Sequence, residues 1–94
     1  MKTSPPLPRD KDAVGNELEH FIRSQFAIPQ SDELFSRTVN LWEEGYVDST
    51  GVVEVLAHIE QTWEITIPDD VLFDPDFTSI SGMSRLIADL DVSA

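Results

Sequence analysis

The chain has no cysteine among its 94 residues, so it can form no disulfide, thiolate metal site or cysteine nucleophile. It also has no apolar run of the roughly 20 residues that a membrane-spanning helix requires. Its four glycines are scattered along the sequence and do not form a glycine-rich phosphate loop. These absences exclude disulfide-framework proteins and proteins that use a cysteine thiol of their own, and they predict a protein that does not span a membrane.

Basic residues are scarce. Six lysines and arginines stand against 18 acidic residues, which gives a formal net charge of −12. Phosphate backbones and anionic membrane surfaces repel such a chain, so we expect neither nucleic acid nor membrane among its partners. Partners with basic surfaces are favoured instead.

The acidic charge is concentrated in one segment, since no lysine or arginine lies between Arg37 and Arg85. The ten carboxylates of this segment are Glu43, Glu44, Asp48, Glu54, Glu60, Glu64, Asp69, Asp70, Asp74 and Asp76. One interpretation is a solvated surface that maintains solubility. The other is a docking surface for basic partners.

A mass of 10.6 kDa suits one small domain. Residues 1–13 are expected to form a flexible leader, because the segment is rich in proline and charge and has no apolar core of a signal peptide. Residues 14–92 are expected to form the folded domain. We expect a cytoplasmic monomer.

Apolar residues recur at three- and four-residue steps in three segments and predict three amphipathic helices, near 16–27, 49–63 and 80–90. Pro68 followed by two acids predicts a short additional helix over 69–72. Ile65 to Ile67 alternate like a strand but have no strand to pair with, so they are expected in a packed loop.

The connection over 28–48 has no sustained period, yet it is too apolar for a solvated linker. The predicted fold class is therefore all-α: a small bundle of three amphipathic helices plus a short third helix, with a long packed connection between the first two helices.

Catalytic constellations are scarce. His20 and His58 are both predicted on polar helix faces, and Ser49 lies nine residues from His58, on the opposite side of one helix. Neither a nucleophile and base pair nor a triad is formed. The sequence therefore predicts a protein that is not an enzyme.

A calcium loop is partly imitated by Asp74, Asp76 and Thr78, which occupy its first three ligand positions. The sixth position, normally glycine, is Ser79, and the twelfth, normally glutamate, is Arg85. No metal site is predicted.

The junction at Asp48 and Ser49, where the long connection enters the second helix, has two interpretations. One is helix capping, in which Asp48 or Ser49 accepts a hydrogen bond from a first-turn amide. The other is a modification site, because a hydroxyl at a helix amino terminus lies where free amides and the helix dipole favour an attached phosphate.

The residues around this junction carry a family resemblance. In order they are Leu41, Gly45, Asp48, Ser49, Val53, Glu54, Leu56, Ile59, Glu60, Trp63, Ile65, Ile67, Pro68, Asp69 and Asp70, with 77–87 similar to a last helix. Together they resemble the acyl carrier and peptidyl carrier protein family over about residues 17–90. The resemblance implies a three-helix core with a long first connection, an acidic surface, and a carrier domain over 14–92.

The resemblance further implies that Ser49 carries a covalent 4'-phosphopantetheine arm derived from coenzyme A. Asp48 would orient the site and bind the metal used by the modifying enzyme. The implied partners are a phosphopantetheinyl transferase, an acyl- or aminoacyl-loading enzyme, and downstream biosynthetic enzymes with basic docking patches. The residues implied to bind these partners are Thr50, Val53, Glu54, Glu60, Asp69 and Asp70.

Two positions depart from the family pattern. Many members have leucine after the serine, and fatty-acid carriers commonly continue with an acid, whereas here Thr50 and Gly51 follow. The departure favours polyketide, nonribosomal peptide or aminoacyl carriers over fatty-acid carriers, and Gly51 is expected to leave room for a partner. The alternative hypothesis is a small acidic interaction module, an adaptor or inhibitor, that binds a basic protein surface without a prosthetic arm.

Overall fold

The computed structural model describes residues 10–90 and contains helices only. They are α1 (Lys11–Gln25), α2 (Ser49–Trp63), α3 (Asp69–Leu72), a 3-10 helix (Pro75–Thr78) and α4 (Ile80–Asp89). Within 10–90 there is no strand, and residues 65–67 lie in a loop. The all-α class and the short third helix predicted from the sequence are confirmed.

The first helix begins earlier than its apolar stripe predicts. α1 begins at Lys11, so residues 11–13, expected in the leader, are helical. Val14 is fully buried and its amide donates to the Asp10 carbonyl over 2.9 Å, which extends the helix by about one turn. Asp10 is the N-cap of α1. The rest of the expected leader, residues 1–9, lies outside the described residues, and so does the expected domain end at residue 92.

The core lies between α1, α2 and α4 and is completed by the connecting segments. Its buried apolar residues are Val14, Leu18, Ile22, Ile28, Phe35, Leu41, Val47, Val55, Ile59, Trp63, Ile65, Ile67, Phe77, Ile80, Met83 and Ile87. Four of them, at 28, 35, 41 and 47, belong to the connection between α1 and α2. The prediction that this connection is packed is confirmed. No helix in the 10–90 range is long and apolar enough to cross a membrane.

Side chains inside the connection fix its shape. The Asp32 carboxylate accepts the Leu34 and Phe35 amides at 2.9 and 3.2 Å and the Tyr46 hydroxyl at 2.9 Å. The Phe35 ring meets Tyr46 edge-on, and the guanidinium of Arg23 from α1 lies 4.5 Å from its centroid. These bonds lower the pKa of Asp32, chiefly through the Tyr46 hydroxyl. The segment is thus an ordered part of the fold.

Backbone bonds fasten the connection to the carboxyl-terminal part of the chain. The Ser81 amide donates to the Arg37 carbonyl over 2.7 Å, and the Leu41 amide donates to the Thr78 carbonyl over 2.8 Å. The Leu41 carbonyl in turn accepts the amides of Tyr46 and Val47 at 3.0 and 3.1 Å. The backbone just before α2 is therefore tied through Leu41 to the end of the 3-10 helix.

Small residues let α1 and α4 pack closely. Gly15 of α1 faces Ser84 of α4, and a Cβ at Gly15 would lie 3.3 Å from the Ser84 hydroxyl. Ser84 is buried and satisfies its hydroxyl by donating to the Ile80 carbonyl over 2.7 Å. A side chain larger than alanine at position 15, or larger than serine at position 84, would separate the two helices.

A residue in the left-handed conformation closely follows each of α1 and α2. Ala27 and Glu64 have φ of 54° and 55°. Beyond Ala27, the Ile28 amide returns to the Arg23 carbonyl over 2.9 Å, and the corresponding bond at the end of α2 measures 3.3 Å. This six-to-one bond is that of the Schellman motif, which satisfies the last carbonyls and stops a helix sharply.

One acidic side chain links α1 to the connection. Glu19 accepts from Arg37 Nε at 2.8 Å and from Arg23 Nε at 3.0 Å. These bonds, that of Arg37 first, lower the pKa of Glu19 below its ordinary value of 4.5. The folded state therefore favours the ionised carboxylate.

We expect Glu19→Gln to destabilise the protein by about 1 kcal/mol at pH 7, since two partly exposed ion pairs are lost. Because the folded pKa is lowered, the stabilisation is present above pH 4.5 and is lost as pH falls through the folded pKa. Urea unfolding of both proteins between pH 3 and 7 should show their stabilities converging at acid pH. A constant difference across that range would contradict the ionic contribution.

Candidate functional site

The amino end of α2 is held by one side chain. Asp48 is the N-cap, with extended backbone at φ −96° and ψ −175°, and its Oδ1 accepts the Gly51 amide at 2.8 Å. The Asp48 carbonyl accepts the Val52 amide at 2.9 Å. Of the two capping residues left open by the sequence, the structure selects Asp48.

With Asp48 as the cap, Ser49 is the first residue of the helix and is exposed. Its hydroxyl has no hydrogen-bond partner among residues 10–90, and the amides of Ser49 and Thr50 have no acceptor there. An unengaged hydroxyl thus lies beside two free donors at the positive end of a helix dipole. Such an end attracts an anionic group.

Gly51 has an internal role that sequence reasoning missed. A Cβ at Gly51 would lie 2.7 and 2.9 Å from two ring carbons of Phe26 and 3.0 Å from Val47 Cγ1. The expectation that Gly51 leaves room for a partner is wrong, because the Phe26 ring of the same chain fills that room. Gly51 allows the residue that follows α1 to pack against the first turn of α2.

A tight turn before Asp48 sets the direction in which the chain enters α2. The Asn40 Oδ1 accepts the amides of Trp42 and Glu43, both at 3.0 Å, and Gly45 adopts a left-handed φ of 79°. Glycine adopts this conformation without the steric cost borne by other residues. Val47 is then buried, and Asp48 emerges at the surface.

Three residues implied to bind partners surround Ser49. Thr50 follows it and is exposed, and Val53 lies one turn later with 65% of its surface accessible. Glu54 is exposed, and its Oε1 accepts from Gln25 Nε2 at 3.1 Å. An apolar and an acidic side chain are thus displayed within about one turn of the serine.

The other three lie further along the chain. Glu60 is half-buried, and its Oε2 accepts the Ile67 amide at 2.9 Å, so it holds the loop between α2 and α3. Asp69 and Asp70 are exposed in the first turn of α3. Of the six side chains, only that of Glu60 accepts a hydrogen bond from a backbone amide, while that of Glu54 accepts one from the Gln25 side chain.

His58 lies at a helix contact instead of on a free polar face. Its Nε2 is 2.8 Å from Glu17 Oε2 and 3.3 Å from Thr62 Oγ1. The imidazole stacks on Phe21 with ring centroids 3.9 Å apart. The ring thus joins α2 to α1, while His20 is exposed as predicted.

The partial calcium-loop pattern is used for local structure. Asp74 Oδ1 accepts the Asp76 amide at 2.9 Å and caps the 3-10 helix, and Asp76 forms an ion pair with Arg85. Among residues 10–90 no three potential metal-ligating side chains come together.

Two surface pockets lie elsewhere on the molecule. One, of about 250 Å³, is lined by His20, Arg23, Ser24, Ile28 and Gln30. The other, of about 190 Å³, is lined by Lys11, Asp12, Arg37, Ser81 and Ser84. Neither includes a residue of α2, so the chemistry available at Ser49 is that of an exposed surface site.

Comparisons with protein-family models, with curated proteins and with solved structures found no match to this chain.

Proposed function

We propose that the protein is a discrete carrier that tethers an acyl or aminoacyl group as a thioester on a 4'-phosphopantetheine arm attached to Ser49. It presents this group to biosynthetic enzymes of polyketide, nonribosomal peptide or related specialised metabolism. The protein itself catalyses no reaction in this proposal. Its thiol belongs to the arm, which suits a chain without cysteine.

The observation that carries the proposal is the unengaged Ser49 hydroxyl in the first turn of α2. Capping residues commonly use their own side chain to satisfy a first-turn amide. Here Asp48 performs that task at 2.8 Å from the Gly51 amide, and the adjacent hydroxyl remains available. The residues fit the arm, because the free amides of Ser49 and Thr50 favour its phosphate and solvent surrounds the hydroxyl.

The modification is a phosphoryl-type transfer from coenzyme A. A bond forms between Ser49 Oγ and the phosphorus that carries the pantetheine, while the bond from that phosphorus to the nucleotide part of coenzyme A breaks. The serine proton leaves with a base of the transferase. Asp48 Oδ1 is occupied by the Gly51 amide, and the second oxygen of that carboxylate remains for the metal that the resemblance implies.

The surface around Ser49 suits brief encounters with several enzymes. A tethered substrate reaches each enzyme at a high effective concentration, so the protein contact itself need not be strong. Glu54, Asp69 and Asp70 are exposed carboxylates that would attract basic patches and accelerate association. Salt should weaken these contacts.

Incubation with coenzyme A and a phosphopantetheinyl transferase of broad specificity should increase the protein mass by one phosphopantetheinyl group. Ser49→Ala should abolish the increase completely, because the accepting oxygen is absent. Ser81→Ala is the matched control, since Ser81 is also an exposed serine in the first turn of a capped helix. That variant should be modified at the wild-type rate.

Modification at another residue, or no mass change with several transferases, would contradict the carrier proposal. The acidic interaction module would then be the better hypothesis, because it needs the helical bundle and its carboxylates but not Ser49. Intact-protein mass spectrometry followed by peptide mapping separates these outcomes.

A further inference from the structure

Phe73 is the most exposed of the large apolar residues in the described chain, with 78% of its surface accessible. It directly follows α3, whose Val71 and Leu72 are half-buried and pack against the core. A helix of four residues cannot turn three consecutive apolar side chains toward one core. Phe73 is the one left in solvent.

Carboxylates surround this ring along the chain. Asp74 and Asp76 are engaged, one in the cap of the 3-10 helix and the other with Arg85. Asp69 and Asp70 are exposed, and their carboxylates have no partner among residues 10–90. The free charge beside Phe73 is therefore negative.

The segment that carries Phe73 is bonded at both ends to residues near the ends of α2. At its start the Ile67 amide is bound to Glu60, near the end of α2. At its finish the Thr78 carbonyl accepts the Leu41 amide, and Leu41 binds the Val47 amide just before Ser49. The two ends of segment 67–78 are thus bonded to residues near the two ends of α2, and Phe73 lies midway along the segment in sequence.

We propose that Phe73, flanked by Asp69 and Asp70, is an apolar anchor on which the transferase that modifies Ser49 docks. The inference rests on the proposed carrier function. The complementary surface is an apolar pocket with a rim of lysines and arginines. Large exposed aromatics surrounded by charge are typical of the few residues that supply most of an interface's affinity.

A second large apolar residue is almost as exposed but lies elsewhere on the surface. Leu34 is 76% accessible, almost as exposed as Phe73, but it lies in the connection next to Phe35, over which the Arg23 guanidinium is stacked. Asp32 and Glu33 precede Leu34, so both exposed residues have acidic neighbours, and Leu34 differs from Phe73 in lying outside segment 67–78. Leu34 provides the matched control.

The test is steady-state kinetics of arm transfer from coenzyme A to the full chain. Phe73→Ala should raise the KM for the carrier about tenfold and change kcat less than about twofold, because docking affinity is lost before the chemical step. Leu34→Ala should leave both constants at wild-type values. Thermal unfolding should be unchanged for both variants, since neither side chain is in the core.

The carboxylates are tested through salt. The double variant Asp69→Asn, Asp70→Asn should raise KM at low salt and flatten its increase between about 50 and 300 mM salt. An unchanged KM for Phe73→Ala, an equal effect of Leu34→Ala, or an unaltered salt dependence overturns the docking proposal while modification of Ser49 still occurs. Absence of modification in the wild type would contradict the carrier function itself, and the docking proposal would fail with it.

Discussion

Gly82→Ala is expected to destabilise the protein by about 2 to 4 kcal/mol, although alanine normally favours a helix by about 1 kcal/mol over glycine. A Cβ at this position of α4 would overlap the Asp76 carbonyl oxygen and lie 2.6 Å from the carbonyl carbon. These are backbone atoms of the 3-10 helix, so no side-chain rotation relieves the clash. The 3-10 helix must move away from α4, which exposes part of the buried Phe77.

Gly15→Ala is the matched control, since it is the same substitution inside another helix. Its Cβ would lie 2.7 Å from Arg37 Nη1, the tip of a flexible side chain, and 3.3 Å from the Ser84 hydroxyl. The change should stay within about 1 kcal/mol of zero, because the helix propensity of alanine offsets a small adjustment of Arg37. Urea unfolding measures both variants, and equal losses would contradict the close contact at Gly82.

Ile59→Ala is expected to cost about 2 to 5 kcal/mol, because it leaves a cavity in the middle of the core. Ile59 is 0% exposed and lies on the buried face of α2 between Val55 and Trp63, which are 1% and 3% exposed. The loss is a large part of the total stability expected for so small a domain. Urea unfolding at pH 7 measures it.

Two controls on the same helix calibrate this result. Val53→Ala removes an exposed side chain and should change stability by no more than about 0.5 kcal/mol. Leu56→Ala would cost about 2 to 5 kcal/mol if Leu56 were a core residue, but Leu56 is half-buried and the expected loss is nearer 1 kcal/mol. A loss for Val53→Ala equal to that of Ile59→Ala would show that the buried face of α2 is wrongly assigned.

The sequence predicts the helices well, because burial of an apolar face leaves a periodic pattern. Val55, Ile59 and Trp63 repeat at helical spacing, and all three are core residues. The apolar pattern predicts the ends of helices less accurately. The stripe of α1 is clear only from Leu18 onward, so the turn that buries Val14 was expected in part outside the helix.

Side-chain contacts between distant segments leave little trace in the sequence. Nothing near Gly51 shows that Phe26 will fill the space beside it, since the contact depends on how α1 meets α2. Likewise, helical spacing predicts His58 on a polar face, whereas in the structure its ring stacks on Phe21 and its Nε2 contacts Glu17. One feature of the sequence does indicate that Phe73 is exposed, since it is the third consecutive apolar residue at the end of a very short helix.

The sequence predicts where the candidate site at Ser49 lies, but it does not predict how the side chains there are arranged. The residue pattern indicates the junction at the start of α2 and leaves either Asp48 or Ser49 as the residue that caps the helix. Only the three-dimensional arrangement assigns the cap to Asp48, with Oδ1 on the Gly51 amide. That assignment matters for function, because a serine that capped the helix would have its hydroxyl engaged in a hydrogen bond.

The attachment of the connection to the carboxyl-terminal helices bears on how fast this protein folds. The Arg37 to Ser81 and Leu41 to Thr78 bonds join residues roughly forty positions apart, although the chain is entirely helical where described. Helical bundles with short loops fold in microseconds to milliseconds because their contacts are local. The turn before Ser49 has these bonds only when α4 and the 3-10 helix are in place, so we expect its formation to depend on long-range loop closure.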